Sequence, residues 1–392
     1  MSCIEQALNE VFAIRIDVLR SARRRRWREI LQKSQGKLVV FGAGELGLKT
    51  IDGLLAEGIE PLAVLDNRAS NELQEVRGIP VVSPERYMLH FGTDVLCLIA
   101  VYNTSRPRAQ LAMLGFKEIV HCAEAFAGVP KRFLPFVCLD DTDVIFRQAN
   151  LVRGAFSLMA DDESRQAFVM QLRHRLFLDF DRVRQPLTQL MKNSEYFLED
   201  VYEYLENEVL VDCGAYRGDT ISRFLERRHD AFTKIYALEP DRFNFHALQN
   251  YINSLDSNLA RRIYALPYAV GSEKGVVNFL GDGTVRSGSS FHGSDTVNVE
   301  RLDVVCSNTP PTLIKMDIEG AEPDALLGAA KIIKQHSPVL AVCVYHACDH
   351  LWSIPTIAYR LNPSYKLFLR AHAEDCWDVT CYAVPKGRCV TK

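Results

Sequence analysis

Apolar residues along the chain gather into short uninterrupted runs, separated by stretches in which apolar positions recur at helical spacing, and this alternation occurs twice. The first series has strand patterns at Lys37–Phe41, Leu62–Leu65 and Val95–Ala100, with helix patterns to about Ala56 and over Ala109–Leu114. The second reads as strand 209–213, helix 219–228, strand 235–239, helix 242–254, strand 263–270, strand 312–317, helix 322–335 and strand 339–345. Its tail, Tyr365–Arg370 and Val379–Val384, reads as an antiparallel closing pair. Fully apolar strands alternating with helices imply parallel sheets covered on both faces, so the fold class is α/β with two sheet-bearing domains.

The pattern divides the chain into 1–35, 36–128, 129–195 and 196–392. In the first segment Leu8, Val11, Phe12, Ile16 and Leu19 fall on one face of an N-terminal helix. Its basic run Arg23–Arg26, followed by Trp27, reads either as a solvated face beside a packed apolar one or as a phosphate- or membrane-touching patch. Residues 129–195 read as a helical connector in which Phe168, Leu172 and Leu176 share a face. Its end, Glu195-Tyr196-Phe197, stands just ahead of the second sheet, where Tyr196 is a candidate cover for a ligand or simply part of the core.

Candidate chemistry sits where the second series turns. Val209 to Asp219 is an apolar strand that ends in Asp212 and breaks into Gly214 and Gly218. Gly214 lets the chain turn, and Gly218 lacks a Cβ that would block a ligand lying on the backbone. Asp219 and Thr220 open a helix whose N-terminal N–H groups suit an anion such as a carboxylate. Glu239 ends the next strand 21 positions after Gly218, near the spacing at which an acid accepts hydrogen bonds from a ribose diol. The plain alternative is a tight strand–helix turn with Glu239 as a solvated strand end. Further on, Thr312–Glu322 is a buried strand that delivers Asp317 and Glu319 into a glycine turn at the same carboxyl edge.

Asp212–Asp219, Glu239-Pro240-Asp241 and Lys315-Met-Asp-Ile-Glu-Gly-Ala-Glu322 together resemble the signature blocks of the FkbM family of S-adenosylmethionine-dependent methyltransferases, over a stretch from about Tyr196 to near the C-terminus. The resemblance implies a seven-stranded Rossmann-like methyltransferase domain that binds S-adenosyl-L-methionine through Asp212, Gly214, Tyr216, Gly218, Asp219, Thr220, Glu239 and Pro240, with Ala269 near the adenine ring. It also implies methylation of an oxygen on a sugar or other small hydroxyl acceptor, in surface polysaccharides or specialised metabolites. Asp317 is the first candidate to orient or deprotonate the acceptor, with Glu319 in support and His346 as the second choice of base. The bland alternative is that His346 and His372 satisfy loop carbonyls. Gly281–Ser294 reads as a substrate lid or as a plain surface loop.

In the first series, Gly42-Ala-Gly44-Glu-Leu-Gly47 follows a strand and opens a helix, and Asp66 stands 19 residues after Gly47. That is the context of a Rossmann-like nucleotide-binding domain. A bound NAD or nucleotide sugar, a domain that has lost its ligand, and a purely structural module all fit. The rival functions are thus an NAD-dependent sugar-nucleotide oxidoreductase or epimerase and a nonenzymatic nucleotide-binding scaffold. The first of these lacks an evident Tyr-x-x-x-Lys proton relay.

Composition narrows the partners. The 392 residues carry a net charge of −3, which offers no bulk attraction for nucleic acid or anionic membrane. No apolar stretch reaches the roughly 18 residues of a membrane span, and the start lacks a secretory pattern. Eleven cysteines, many within apolar runs, fit reduced thiols and a cytoplasmic setting. Cys343, His346, Cys348 and His350 suggest a zinc set only superficially, because adjacent strand residues alternate faces, and no metal is expected. A homo-oligomer is compatible with everything above.

Overall fold

The computed structural model of the protein describes residues 2–69, 75–136, 141–177, 195–280, 288–289, 295–372 and 377–390. The chain separates into two compact units: Met1–Arg147 with the stretch from Leu172, and Gln148–Gln171 with the chain through to Lys392. Residues 148–171 of the expected connector thus go with the second unit. Residues 178–194 of that connector lie outside the described residues, as does the expected lid Gly281–Ser294 apart from Gly288–Ser289.

The first unit is built on β1 (Leu38–Phe41), β2 (Val64–Leu65), β3 (Glu75–Val76), β4 (Ile79–Val82), β5 (Leu96–Ile99) and β6 (Glu118–His121), in the order β3-β4-β2-β1-β5-β6. All neighbours are parallel except β3 with β4. Strand alternation explains the unbroken apolar run of β1: Leu38 and Val40 join one core cluster with Trp27 and Leu46, whereas Val39 and Phe41 join another with Leu65 and Tyr87. The single N-terminal helix expected from periodicity is two, Cys3–Phe12 and Ile16–Lys33. The basic run is engaged within the unit: Arg23 bonds the carbonyl of Leu176, Arg26 pairs with Glu124 at 2.7 Å, and Trp27 is buried against Gly128.

The second unit carries β7 (Glu208–Cys213), β8 (Phe232–Leu238), β9 (Ile263–Leu266), β10 (Ala269–Val270), β11 (Gly275–Leu280), β12 (Gly288–Ser289), β13 (Asp295–Glu300), β14 (Leu313–Met316), β15 (Val339–Cys343), β16 (Tyr365–Ala371) and β17 (Val379–Pro385). Its main sheet has seven strands in the order β16-β17-β15-β14-β7-β8-β9, parallel from β15 to β9. β17 runs antiparallel to both of its neighbours, as expected from the tail. The chain leaves β9, builds a separate four-stranded sheet, β10-β13-β11-β12, and re-enters the main sheet at β14 beside β7. Strand order reverses between β7 and β14, so a crevice is expected at their carboxyl ends.

Two expected elements are divided. The strand 263–270 breaks into β9 and β10 because Pro267 has no N–H to donate to a ladder, and β10 pairs with β13 instead of continuing the main sheet. The helix 322–335 is two helices, Glu322–Gly328 and Ala330–His336. Among the described residues, no helix is long and apolar enough to cross a membrane.

Candidate active site

The carboxyl end of β7 is fixed by a buried ion pair. Lys315 Nζ on β14 lies 3.0 Å from Asp212 Oδ1, with the two side chains 3% and 0% exposed. The same ammonium donates to the carbonyls of Cys213 at 3.2 Å and Gly214 at 2.7 Å. Burial pushes the Asp212 carboxyl up to about 6 against the pull of Lys315. For Lys315 burial works the other way, but Asp212 and Asp317 hold it charged, above its ordinary value. Asp212 is therefore enclosed beneath the crevice and acts on its floor through Lys315.

The glycines are needed for reasons that the sequence hides. Gly214 has φ +78°, and a Cβ there would overlap the carbonyl oxygen of Asp317 on the next strand. Gly218 has φ +93°, and a Cβ there would overlap the ring of Tyr251. This corrects the expectation that Gly218 leaves room for a ligand, because a tyrosine already fills that room. Gly218 also begins the helix Asp219–Arg228, which no side chain caps. At its first turn Asp219 is exposed, 3.7 Å from Arg223, while Thr220 is 2% exposed.

Glu239 closes the other side. It follows β8, is 5% exposed, and accepts the N–H of Tyr216 at 2.8 Å on Oε2 and that of Asp241 at 2.9 Å on Oε1. Tyr216 reaches that position with a left-handed φ of 46°. Asp241 in turn caps the helix Arg242–Ser254 by accepting from Phe243 and Asn244, which fixes the half-buried Pro240 between the two acids. Burial pushes the Glu239 carboxyl up to about 7 despite the two backbone donors. Ala269 lies on β10 opposite Val299, in the four-stranded sheet and not at the end of a third main-sheet strand as expected.

Across Gly214, the ends of β14 and β15 bring together the three residues expected to carry chemistry. Asp317 Oδ2 accepts the Tyr196 hydroxyl at 2.8 Å, and Oδ1 accepts the Tyr345 hydroxyl at 3.4 Å. His346 Nε2 lies 3.3 Å from Asp317 Oδ1 and 3.8 Å from Glu319 Oε2. Its Nδ1 lies 2.8 Å from Oε1 of Glu322, which also faces His350 Nδ1 at 3.4 Å. Burial opposes ionisation of Asp317, yet His346, Lys315 and Tyr196 hold its carboxyl below the usual range. Burial likewise opposes charge on His346, but Glu322 and Asp317 raise it well above an ordinary imidazole.

Residues 212–363 match the family described as methyltransferase FkbM domain. The second unit carries an FkbM methyltransferase domain. The protein is accordingly a methyltransferase. A crystal structure of a methyltransferase FkbM from Methylobacillus flagellatus KT is 24% identical, with a TM-score of 0.73 over 97% of this chain and 98% of that one, so the two share a fold. A putative rRNA-methylase from Clostridium thermocellum (7% identical, 53% of this chain and 99% of that one, TM-score 0.34) and the CurJ carbon methyltransferase (11% identical, 99% and 98%, TM-score 0.29) are likenesses too loose to define its topology. No curated protein sequence matches the chain.

Within the FkbM domain, the sequence reading did not assign roles to Lys315, Glu322 or Tyr345, although all three lie in the stretches it singled out. Tyr196 belongs to the core, 4% exposed, and its hydroxyl also donates to Asp317 at 2.8 Å. His346 sits among acids, and His372 Nε2 lies 2.8 Å from the Tyr382 hydroxyl. Cys343 Sγ lies 3.7 Å from the Tyr196 hydroxyl.

The first unit's glycine motif behaves differently from that of the FkbM domain. A Cβ on Gly47 would overlap the carbonyl of Gly42, which itself has φ +111°, so these two glycines let the helix Glu45–Ala56 pack on β1. Gly44 has open space where a side chain would be. Asp66, however, is already engaged: Oδ2 accepts from Ala43 N–H at 2.8 Å and Arg68 Nη2 at 3.0 Å, and Oδ1 from Arg68 N–H at 2.8 Å and its Nε at 3.0 Å. Four donors on one carboxylate leave little capacity for a ribose diol.

Proposed function

We propose that the FkbM domain moves a methyl group from S-adenosylmethionine to a hydroxyl oxygen of a sugar or similarly small acceptor, at the crevice between the ends of β8, β7 and β14. The arrangement that carries this reading is Glu239 and the uncapped helix at Asp219 on one side of Gly214, with Asp317 on the other.

The residues fit that donor. Each oxygen of Glu239 accepts one backbone N–H and retains a lone pair, so the carboxylate can take both hydroxyls of a ribose. The first turn of Asp219–Arg228 directs N–H groups and a positive dipole end toward a carboxylate. When bound, S-adenosylmethionine supplies an electrophilic methyl carbon on a sulfonium. Asp317, held ionised and aimed by Tyr196 and Tyr345, accepts a hydrogen bond from the acceptor hydroxyl and lines up its lone pair. Asp317 would take up the acceptor's hydroxyl proton and release it to solvent. Positioning of this kind accounts for much of the rate in a displacement that needs no covalent intermediate.

Calorimetry with S-adenosylhomocysteine tests the donor site. One site per chain is expected, and Glu239→Ala should weaken it by about 10- to 100-fold, the loss expected for hydrogen bonds to a charged group. Equal affinity in the variant would remove Glu239 from the site.

The same carboxylate gives a pH test. Its pKa in the folded chain, about 7, lies above the ordinary 4.5, so its contribution to stability is full below 4.5 and is lost as pH rises through about 7. A ribose bound to the ionised form demands the opposite. Between about pH 6 and 8 the ligand-free melting temperature should fall while affinity for S-adenosylhomocysteine rises. A flat affinity profile in thermal shift and calorimetry over that window would contradict it.

A further inference from the structure

We infer that Asp317, Glu319 and His346 form a binding site for a divalent first-row metal ion. They lie at the carboxyl ends of β14 and β15, and one ligand atom from each falls within 4.8 Å of the other two. An ion bound about 2.0–2.2 Å from nitrogen and oxygen ligands holds neighbouring ligands roughly 3.0–3.5 Å apart. The distances from His346 Nε2 to the two acids, 3.3 and 3.8 Å, need only slight closure to match.

The histidine separates this trio from a chance acidic cluster. Its side chain is 1% exposed, and Nε2 makes no hydrogen bond, lying near Asp317 Oδ1 but outside bonding geometry. Nδ1 lies 2.8 Å from Oε1 of Glu322, likewise outside bonding geometry, and Glu322 is itself fully buried and fixed by the N–H of Ile318 at 2.9 Å. A carboxylate behind one nitrogen, with the other presented to acids, is how proteins orient a metal-bound imidazole. Tyr196 pins the far oxygen of Asp317, and Oδ1, which also accepts the Tyr345 hydroxyl at 3.4 Å, lies toward the trio. Asp317 and Glu319 are 25% and 18% exposed, so remaining coordination positions face the crevice.

With its Nε2 proton displaced by the ion, His346 joins two carboxylates in a mixed nitrogen–oxygen set suited to Mn²⁺, Fe²⁺, Co²⁺ or Zn²⁺. This departs from the sequence reading, which expected no metal and weighed zinc only on Cys343, His346, Cys348 and His350. The ion's role, though not the site itself, rests on the methyl-transfer reading: open positions would take the acceptor's oxygen and ease loss of its proton.

The test titrates Mn²⁺ into chelator-treated full-length protein and follows the free-ion signal by electron paramagnetic resonance. One ion per chain is expected. Glu319→Gln removes a ligand and Glu322→Gln the support behind His346; each should weaken uptake by roughly 10- to 100-fold while S-adenosylhomocysteine still binds. No uptake at millimolar Mn²⁺, or uptake indifferent to both substitutions, overturns the site. Uptake without S-adenosylhomocysteine binding would uphold the metal site and overturn the methyl-transfer reading instead.

Discussion

Replacing Lys315 by methionine should destabilise the second unit by about 3–5 kcal/mol, the cost of leaving a buried charge without its partner. Asp212 is fully enclosed 3.0 Å from the ammonium, and the carbonyls of Cys213 and Gly214 lose their donor in the same step. The Asp212 carboxyl, already pushed up to about 6 with Lys315 present, would rise further without it. A group raised in the folded state loses its stabilising contribution as pH rises through the folded value. The deficit of Lys315→Met should therefore widen from pH 5 toward 8. Adding Asp212→Leu to Lys315→Met should recover most of it, since an apolar pair of similar volume replaces a buried ion pair at little cost. Denaturant unfolding of the two single variants and the double variant decides the matter. Strictly additive losses would show that the two residues act independently.

Asp317→Asn should lower turnover by about 10²- to 10⁴-fold, the usual worth of a positioned proton acceptor. The amide preserves shape and can still accept the Tyr196 hydroxyl, but it cannot take a proton and carries no charge for His346. Affinity for S-adenosylhomocysteine should stay within about twofold, because a group used only in the transition state lowers kcat without loosening donor binding. The measurement is single-turnover release of S-adenosylhomocysteine with any acceptor found by screening sugar nucleotides and glycan intermediates. Full turnover in the variant would leave Asp317 a purely structural role.

Much of this architecture could be read from apolar runs alone. Both parallel series, the acids at the strand ends and the closing pair Tyr365–Ala371 with Val379–Pro385 follow from periodicity, because a strand buried on two faces leaves little choice of residue. What could not be read depends on register. Nothing local in the sequence aligns Lys315 with Asp212, and that pairing redirects the acid from the crevice to the floor beneath it. The same holds for Gly218, whose requirement comes from Tyr251, and for Tyr196, whose aim at Asp317 joins residues far apart in the chain. Pro267 was a visible warning that 263–270 is not one strand, and with it the placement of Ala269.

β17 bears on the timing of biosynthesis. It is inserted between β15 and β16, and β16 hydrogen-bonds to no other strand of the main sheet. A nascent chain that has emerged only as far as Ala371 can hold its newest strand against Met159–Ala160 and Ser164 but not against the main sheet, and β15 keeps an unpaired edge until Val379–Pro385 leaves the ribosome. The sheet is completed from within by a late-synthesised strand, so translational stalling shortly before that point would expose an apolar edge open to improper partners.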